Sequence, residues 1–192
     1  GIHASPEPNP DHNPEPDPDP DPGVTVGAAI NFSSLAGDTN GANGLSFGYT
    51  ADGVNVTPYT LYDAGQGRWY EVTNGAVTFF DPCEVVADNY GLGQTSSYNY
   101  LVMTYEAPTT GTIDLYTWLV TQAGTGHGLT VAKSSLDNVV GTYSTAQGEV
   151  KYQSYTLVVT KGEKLYLIFK PTVAADWEWF GYKASVTYTA LD

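Results

Sequence analysis

Cysteine is nearly absent from this chain. Cys83 stands alone, so neither an internal disulfide nor a cysteine-built metal cage can form. Basic residues are scarce too: Lys and Arg number 7 against 21 Asp and Glu, a formal net charge of −14. A surface that acidic repels phosphate backbones and anionic lipid, which argues against nucleic acid as a partner and against adsorption to membranes. No apolar run approaches the roughly 18 residues that a membrane span needs, so insertion is excluded. The chain opens on Gly1 with no apolar targeting stretch behind it. A signal peptide already removed, or a trimmed chain, is the expectation. Charge of either sign is low at 15%, while Tyr (15) and Gly (21) are plentiful, a composition common among secreted β-proteins.

Proline is concentrated at one end. Eight of the 12 prolines fall within residues 1–23, mostly alternating with Asp or Glu. Each fixes its own φ and biases its predecessor toward extended backbone, so this stretch can form neither helix nor ladder. Its six acids add self-repulsion, and the expected result is a semi-rigid linker of roughly 3 Å per residue. Asp17, Asp19 and Asp21 imitate a calcium-loop spacing, but the intervening prolines forbid the tight turn. Residues 24–192 are then the domain, large enough to bury a full core without staples.

Helical periodicity is missing from that domain, and period-2 alternation dominates. Strands are expected at 24–32, 45–49, 54–61, 69–72, 77–80, 98–106, 112–120, 129–132, 139–143, 151–160, 164–170 and 183–190. Turn signals such as Asn43-Gly44, Asp52-Gly53, Asn74-Gly75 and Lys161-Gly162 separate them. In 112–120, Ile113, Leu115 and Leu119 share one face and Asp114, Tyr116 and Trp118 the other. Short strands with no helix between them make an all-β protein of antiparallel sheets, a sandwich or a barrel.

No arrangement of nucleophile and base emerges, so no catalytic residue is assigned. Gly44-Leu45-Ser46-Phe47-Gly48 matches a nucleophile-elbow pattern, yet turns flank it and no helix follows. Cys83 sits beside Asp81 and Glu84, which suppress a thiolate, so pairing it with His127, the domain's only histidine, is rejected. The remaining acids show no spacing that singles out a glycosidase pair. No cofactor is implied. A structural Ca²⁺ held by loop carboxylates and carbonyls is compatible with the composition but cannot be assigned to residues.

The constellation left over is aromatic. Trp69, Trp118, Trp177 and Trp179, with several tyrosines, exceed what one core needs. A pyranose offers an apolar C–H face to a ring and a rim of hydroxyls to polar groups. The expected carbohydrate-binding residues are Trp177, Trp179, Trp118 and Trp69, with Lys170, Asp176 and Glu178 as the nearest polar side chains. Trp177 and Trp179, two apart, share a side if the segment is extended, and rings set at angles suit a curved α-glucan.

The order Gly44–Gly53 (GLSFGYTADG), Tyr62-Asp63 with Trp69, then Ala107-Pro108 with Gly111-Thr112-Ile113, resembles secreted bacterial jelly-roll carbohydrate-binding modules. The stretch 159–170 (VTKGEKLYLIFK), Asp176 and 183–189 (KASVTYT) is similar to their final hairpin and last strand. The resemblance implies a jelly-roll β-sandwich that binds polysaccharide without cleaving it. It also implies a monomeric unit of a larger multimodular protein, secreted or on a bacterial cell surface. With the acidic linker it is similar to starch-adherence proteins. Leu45 stands where such modules often carry Trp, so no binding residue is transferred from the family. The rival readings are a structural or adhesion spacer, which requires all four Trp buried, and a lyase or glycosidase, which requires convergent acids in a deep cleft.

Overall fold

The computed structural model describes residues 24–73, 75–82, 89–96, 99–173 and 178–192. The linker at 1–23, Cys83, Asp176 and Trp177 lie outside the described residues. The strands are β1 (Ala29–Asn31), β2 (Leu45–Thr50), β3 (Thr57–Pro58), β4 (Leu61–Asp63), β5 (Arg68–Thr73), β6 (Ala76–Asp81), β7 (Gly91–Thr95), β8 (Tyr100–Glu106), β9 (Gly111–Thr121), β10 (Gly126–Lys133), β11 (Val139–Ala146), β12 (Val150–Val159), β13 (Lys164–Pro171) and β14 (Glu178–Leu191). One four-residue helical turn, α1 (Phe32–Leu35), follows β1.

The strands make two antiparallel sheets. Sheet A runs β12-β9-β14-β7-β6-β5-β4, with β1 on the same edge of β14 as β7; sheet B runs β11-β10-β13-β8-β2-β3. From β7 onward the chain passes back and forth between the sheets, staying in one sheet only at the β10–β11 hairpin. This winding is of the jelly-roll type. Alternation decides what fills the space between them. Leu101, Met103 and Tyr105 of β8, Leu129 and Val131 of β10, and Leu165, Leu167 and Phe169 of β13 meet Ile113, Leu115 and Leu119 of β9 and Phe180, Tyr182, Val186 and Tyr188 of β14. Each large apolar side chain so buried contributes roughly 1.5–3 kcal/mol. Phe169 and Phe180 stack across the sheets, centroids 4.6 Å apart and 10° from parallel.

Three departures from the sequence expectation have physical causes. The strand expected at 54–61 is two pieces, because the chain leaves sheet B after Pro58 and enters sheet A at Leu61. Asn40 bridges that transit: its amide donates to the carbonyls of Phe47 (2.8 Å) and Tyr59 (3.0 Å). The strand expected at 24–32 forms only at 29–31, and Phe32 turns in to stack on Tyr105 at 5.1 Å. Strand β7 lies where the sequence analysis places no strand, and its Gly91 and Gly93 put no side chains on the inner face to show an alternation. Both face the core and carry aromatic rings on their bare backbone: a Cβ on Gly91 would lie 2.5 Å from Tyr182, and one on Gly93 would clash with Phe180.

Candidate functional site

Because Ile113, Leu115 and Leu119 face the core, Tyr116 and Trp118 stand on the solvent side of sheet A, as the alternation predicts. Trp118 pairs directly with Tyr152 on β12 and with Lys183 on β14. The Lys183 ammonium lies 4.7 Å from the Trp118 ring centroid, and the Tyr90 ring meets Trp118 edge-on at 5.8 Å and 73°. Tyr152 is 70% exposed, 6.4 Å from Tyr116 and tilted 34° to it. Gly181 lets Tyr90 lie flat on the sheet, since a Cβ there would run into the phenol. The Gln122 side-chain amide donates to the Tyr90 hydroxyl.

A second group of rings lies along the same face. Trp179 of β14 packs edge-on against Phe79 of β6 at 4.8 Å, both opposite Gln94 of β7, and the Arg68 guanidinium covers Phe79 at 4.2 Å. Trp179 is half-buried. It lies four residues along β14 from Lys183, the partner of Trp118, so the two groups are roughly 13 Å apart along the strand. The fold therefore unites Trp118 and Trp179 on one face. It adds Tyr152, Tyr90 and Lys183, which the sequence reading overlooked, although Tyr152 is legible from the alternation of 150–159.

The other expected residues lie elsewhere. Trp69 points into the sandwich, 5% exposed, its indole N–H donating to the Gly37 carbonyl at 2.9 Å and its ring 4.8 Å from Tyr62. It is a core plug and cannot reach a sugar. Glu178 also points inward, because Trp179 beside it points out. It is 6% exposed; its Oε1 accepts from the Thr125 backbone N–H at 3.1 Å, and its Oε2 lies 4.0 Å from His127 Nε2. Lys170 stands on the outer face of sheet B, across the sandwich from Trp118.

His127 is fully buried, with Nδ1 3.2 Å from Thr121 Oγ1. Desolvation, only partly offset by the Glu178 carboxylate, pushes its pKa down to about 4, so the ring is neutral. Gly44–Gly48 runs into the regular strand β2, with no strand-to-helix elbow to strain Ser46. Several of the exposed acids serve turns: Asp63 accepts from the N–H groups of Gly65 and Gln66, and Asp52 from those of Val54 and Asn55. The latter bonds hold Asp52 far below the usual carboxylate range. Among the described residues, no group of three or more His, Cys, Asp or Glu could hold a metal ion.

No family model matches the chain, and no curated protein matches it. Solved structures do. One is the N-terminal CBM22-1 and GH10 modules of an endo-1,4-β-D-xylanase from Clostridium thermocellum, complexed with xylohexaose. That match has 11% identity and a TM-score of 0.39, covering 83% of this chain and only 27% of that one. The C-terminal family 22 carbohydrate-binding module of a Clostridium thermocellum xylanase matches at 9% identity and TM-score 0.42, covering 79% of this chain and 97% of the other. The CBM22-1 xylan-binding domain of a Paenibacillus barcinonensis xylanase matches at 11% identity and TM-score 0.41, covering 88% and 97%.

Proposed function

We propose that residues 24–192 are a non-catalytic carbohydrate-binding module, tethered by the acidic linker, that holds a secreted or cell-surface protein to polysaccharide. The outer face of sheet A is the binding surface, and an α-glucan such as starch is its ligand. One observation carries the reading: large rings stand on a solvent-facing sheet, where no core packing explains them, with lysine, arginine and amide groups between them. A spacer has no use for Trp118 and Tyr152 in that position. The rings stand at 73° and 34° to their neighbours, which suits a curved chain better than the flat ribbon of a β-glucan. Trp118, Tyr116, Tyr152 and Trp179 offer ring faces and edges to sugar C–H groups, while Gln122 and Gln94 offer donors and acceptors to hydroxyls. Trp177 and Asp176, directly before β14, join the proposal on their sequence position.

Affinity electrophoresis in native gels containing soluble starch, xylan or mannan tests this. By analogy with base stacking, removing one ring costs about 1–3 kcal/mol, or roughly tenfold in affinity. Retardation by starch should fall that far in Trp118→Ala, with the melting temperature nearly unchanged. A protein retarded by no polysaccharide, or one that releases reducing ends, overturns the reading. Retardation by xylan alone removes the α-glucan and leaves the face.

A further inference from the structure

The opposite face of the sandwich carries a trough of its own, about 490 Å³ in volume, at the end of sheet B where β13 finishes. Its floor is Gly128 of β10, paired with Ser144 of β11 on one side and Lys170 of β13 on the other. Thr142, Thr172 and the Tyr100 ring complete the walls. The Lys170 ammonium is held 5.9 Å from the Tyr100 centroid. Glycine inside a strand is unfavourable, and here the backbone does not demand it. Gly128 is not among the positive-φ glycines, and a Cβ would meet nothing nearer than the Tyr143 carbonyl oxygen at 3.7 Å, an ordinary contact. What its missing side chain provides is depth.

The charge in the trough runs against the rest of the molecule. In a chain with 21 acids and 7 bases, the trough is lined by one cation and no carboxylate among the described residues. Lys133 and Lys151 are ion-paired at 3.5 and 3.2 Å, whereas no carboxylate of the described residues reaches Lys170. At physiological salt the Debye length is about 8 Å, so an anion in the trough is governed by Lys170 more than by the distant acids. An aromatic wall, three hydroxyls and one ammonium around a space of this size match a sugar that bears a carboxylate.

We infer that this trough is a second saccharide site, separate from the ring face of sheet A, and that it takes a uronic-acid residue. The carboxylate pairs with Lys170, ring C–H groups lie on Tyr100, and Thr142, Ser144 and Thr172 bind hydroxyls. The two sites share no side chain, so one module could bridge a neutral and an acidic glycan.

Calorimetric titration of the full chain with oligogalacturonate, oligomannuronate and a glucuronate-bearing xylo-oligosaccharide, each at low salt and at about 0.15 M NaCl, tests the inference. At least one uronate should bind, more weakly at the higher salt. Lys170→Gln should weaken that binding roughly tenfold or more, and Gly128→Val, which fills the floor, should abolish it with the fold intact by circular dichroism. Trp118→Ala should leave uronate binding unchanged while weakening starch binding roughly tenfold. If no uronate binds, or if binding survives both Lys170→Gln and Gly128→Val, the site is refuted. A native chain that binds a uronate but no starch or other neutral glycan refutes only the face on sheet A.

Discussion

Acid should destabilise this domain through one side chain before its carboxylates begin to matter. His127 is fully buried, and its pKa falls from 6.5 to about 4 on folding. A depressed histidine pKa means that the unfolded chain binds the proton more readily. Its contribution to stability is whole above pH 6.5 and is lost as pH falls through 6.5 toward about 4. At about 1.36 kcal/mol per unit, the full effect is roughly 3 kcal/mol, and about 2.5 kcal/mol of it is gone by pH 4.5. For a domain of this size that is roughly 5–10 °C in Tm. Urea unfolding followed by tryptophan fluorescence at pH 7 and pH 4.5, for the native chain and for His127→Gln, isolates the effect. Glutamine cannot titrate, and the carboxylates common to both proteins cancel. The stability difference between the two should shrink by about 2.5 kcal/mol on acidification. A constant difference would show that His127 is not desolvated as described. A difference that grows would mean that the ring is protonated as an ion pair with Glu178, reversing the electrostatics at this end of the sandwich.

Trp69→Ala should destabilise the domain by about 3–5 kcal/mol in denaturant unfolding, as loss of a core ring does. If it instead left stability intact and weakened glycan retention, the core assignment would be wrong. Gly93→Ala should cost about 1–3 kcal/mol, because the Phe180 ring occupies the place of the new methyl group; an unchanged unfolding midpoint would refute that contact. Deleting residues 1–22 should leave the calorimetric melting temperature unchanged if those residues are only a tether.

The class of fold was legible because side-chain alternation along a strand is a local property. In β9 one face is Ile113, Leu115 and Leu119, so the outward placement of Trp118 could be read directly. The same logic fails at Trp69. There the alternation pairs Trp69 with Glu71 and sets Arg68, Tyr70 and Val72 on the other face, so neither face is visibly the core. Only the pairing of β5 between β4 and β6, which sets Trp69 beside Tyr62 and the buried Phe80, shows that the indole faces inward. Strand β7 was hidden because its glycines are explained by rings of β14, a strand more than 80 residues away.

Nearness in sequence also misled the grouping of the site. Trp179 and Glu178 are neighbours, but adjacent residues of a strand point to opposite sides of the sheet, one to solvent and one to the core. Lys170 is separated from Trp179 by nine residues, yet the chain changes sheet between them and leaves the two on opposite outer faces. From the sequence alone came the all-β architecture, the division into faces and the surplus of rings, since these depend on residue type and spacing of two. Which rings share a surface, and which polar groups stand beside them, was decided by strand pairing and sheet packing, because those interactions join residues far apart along the chain.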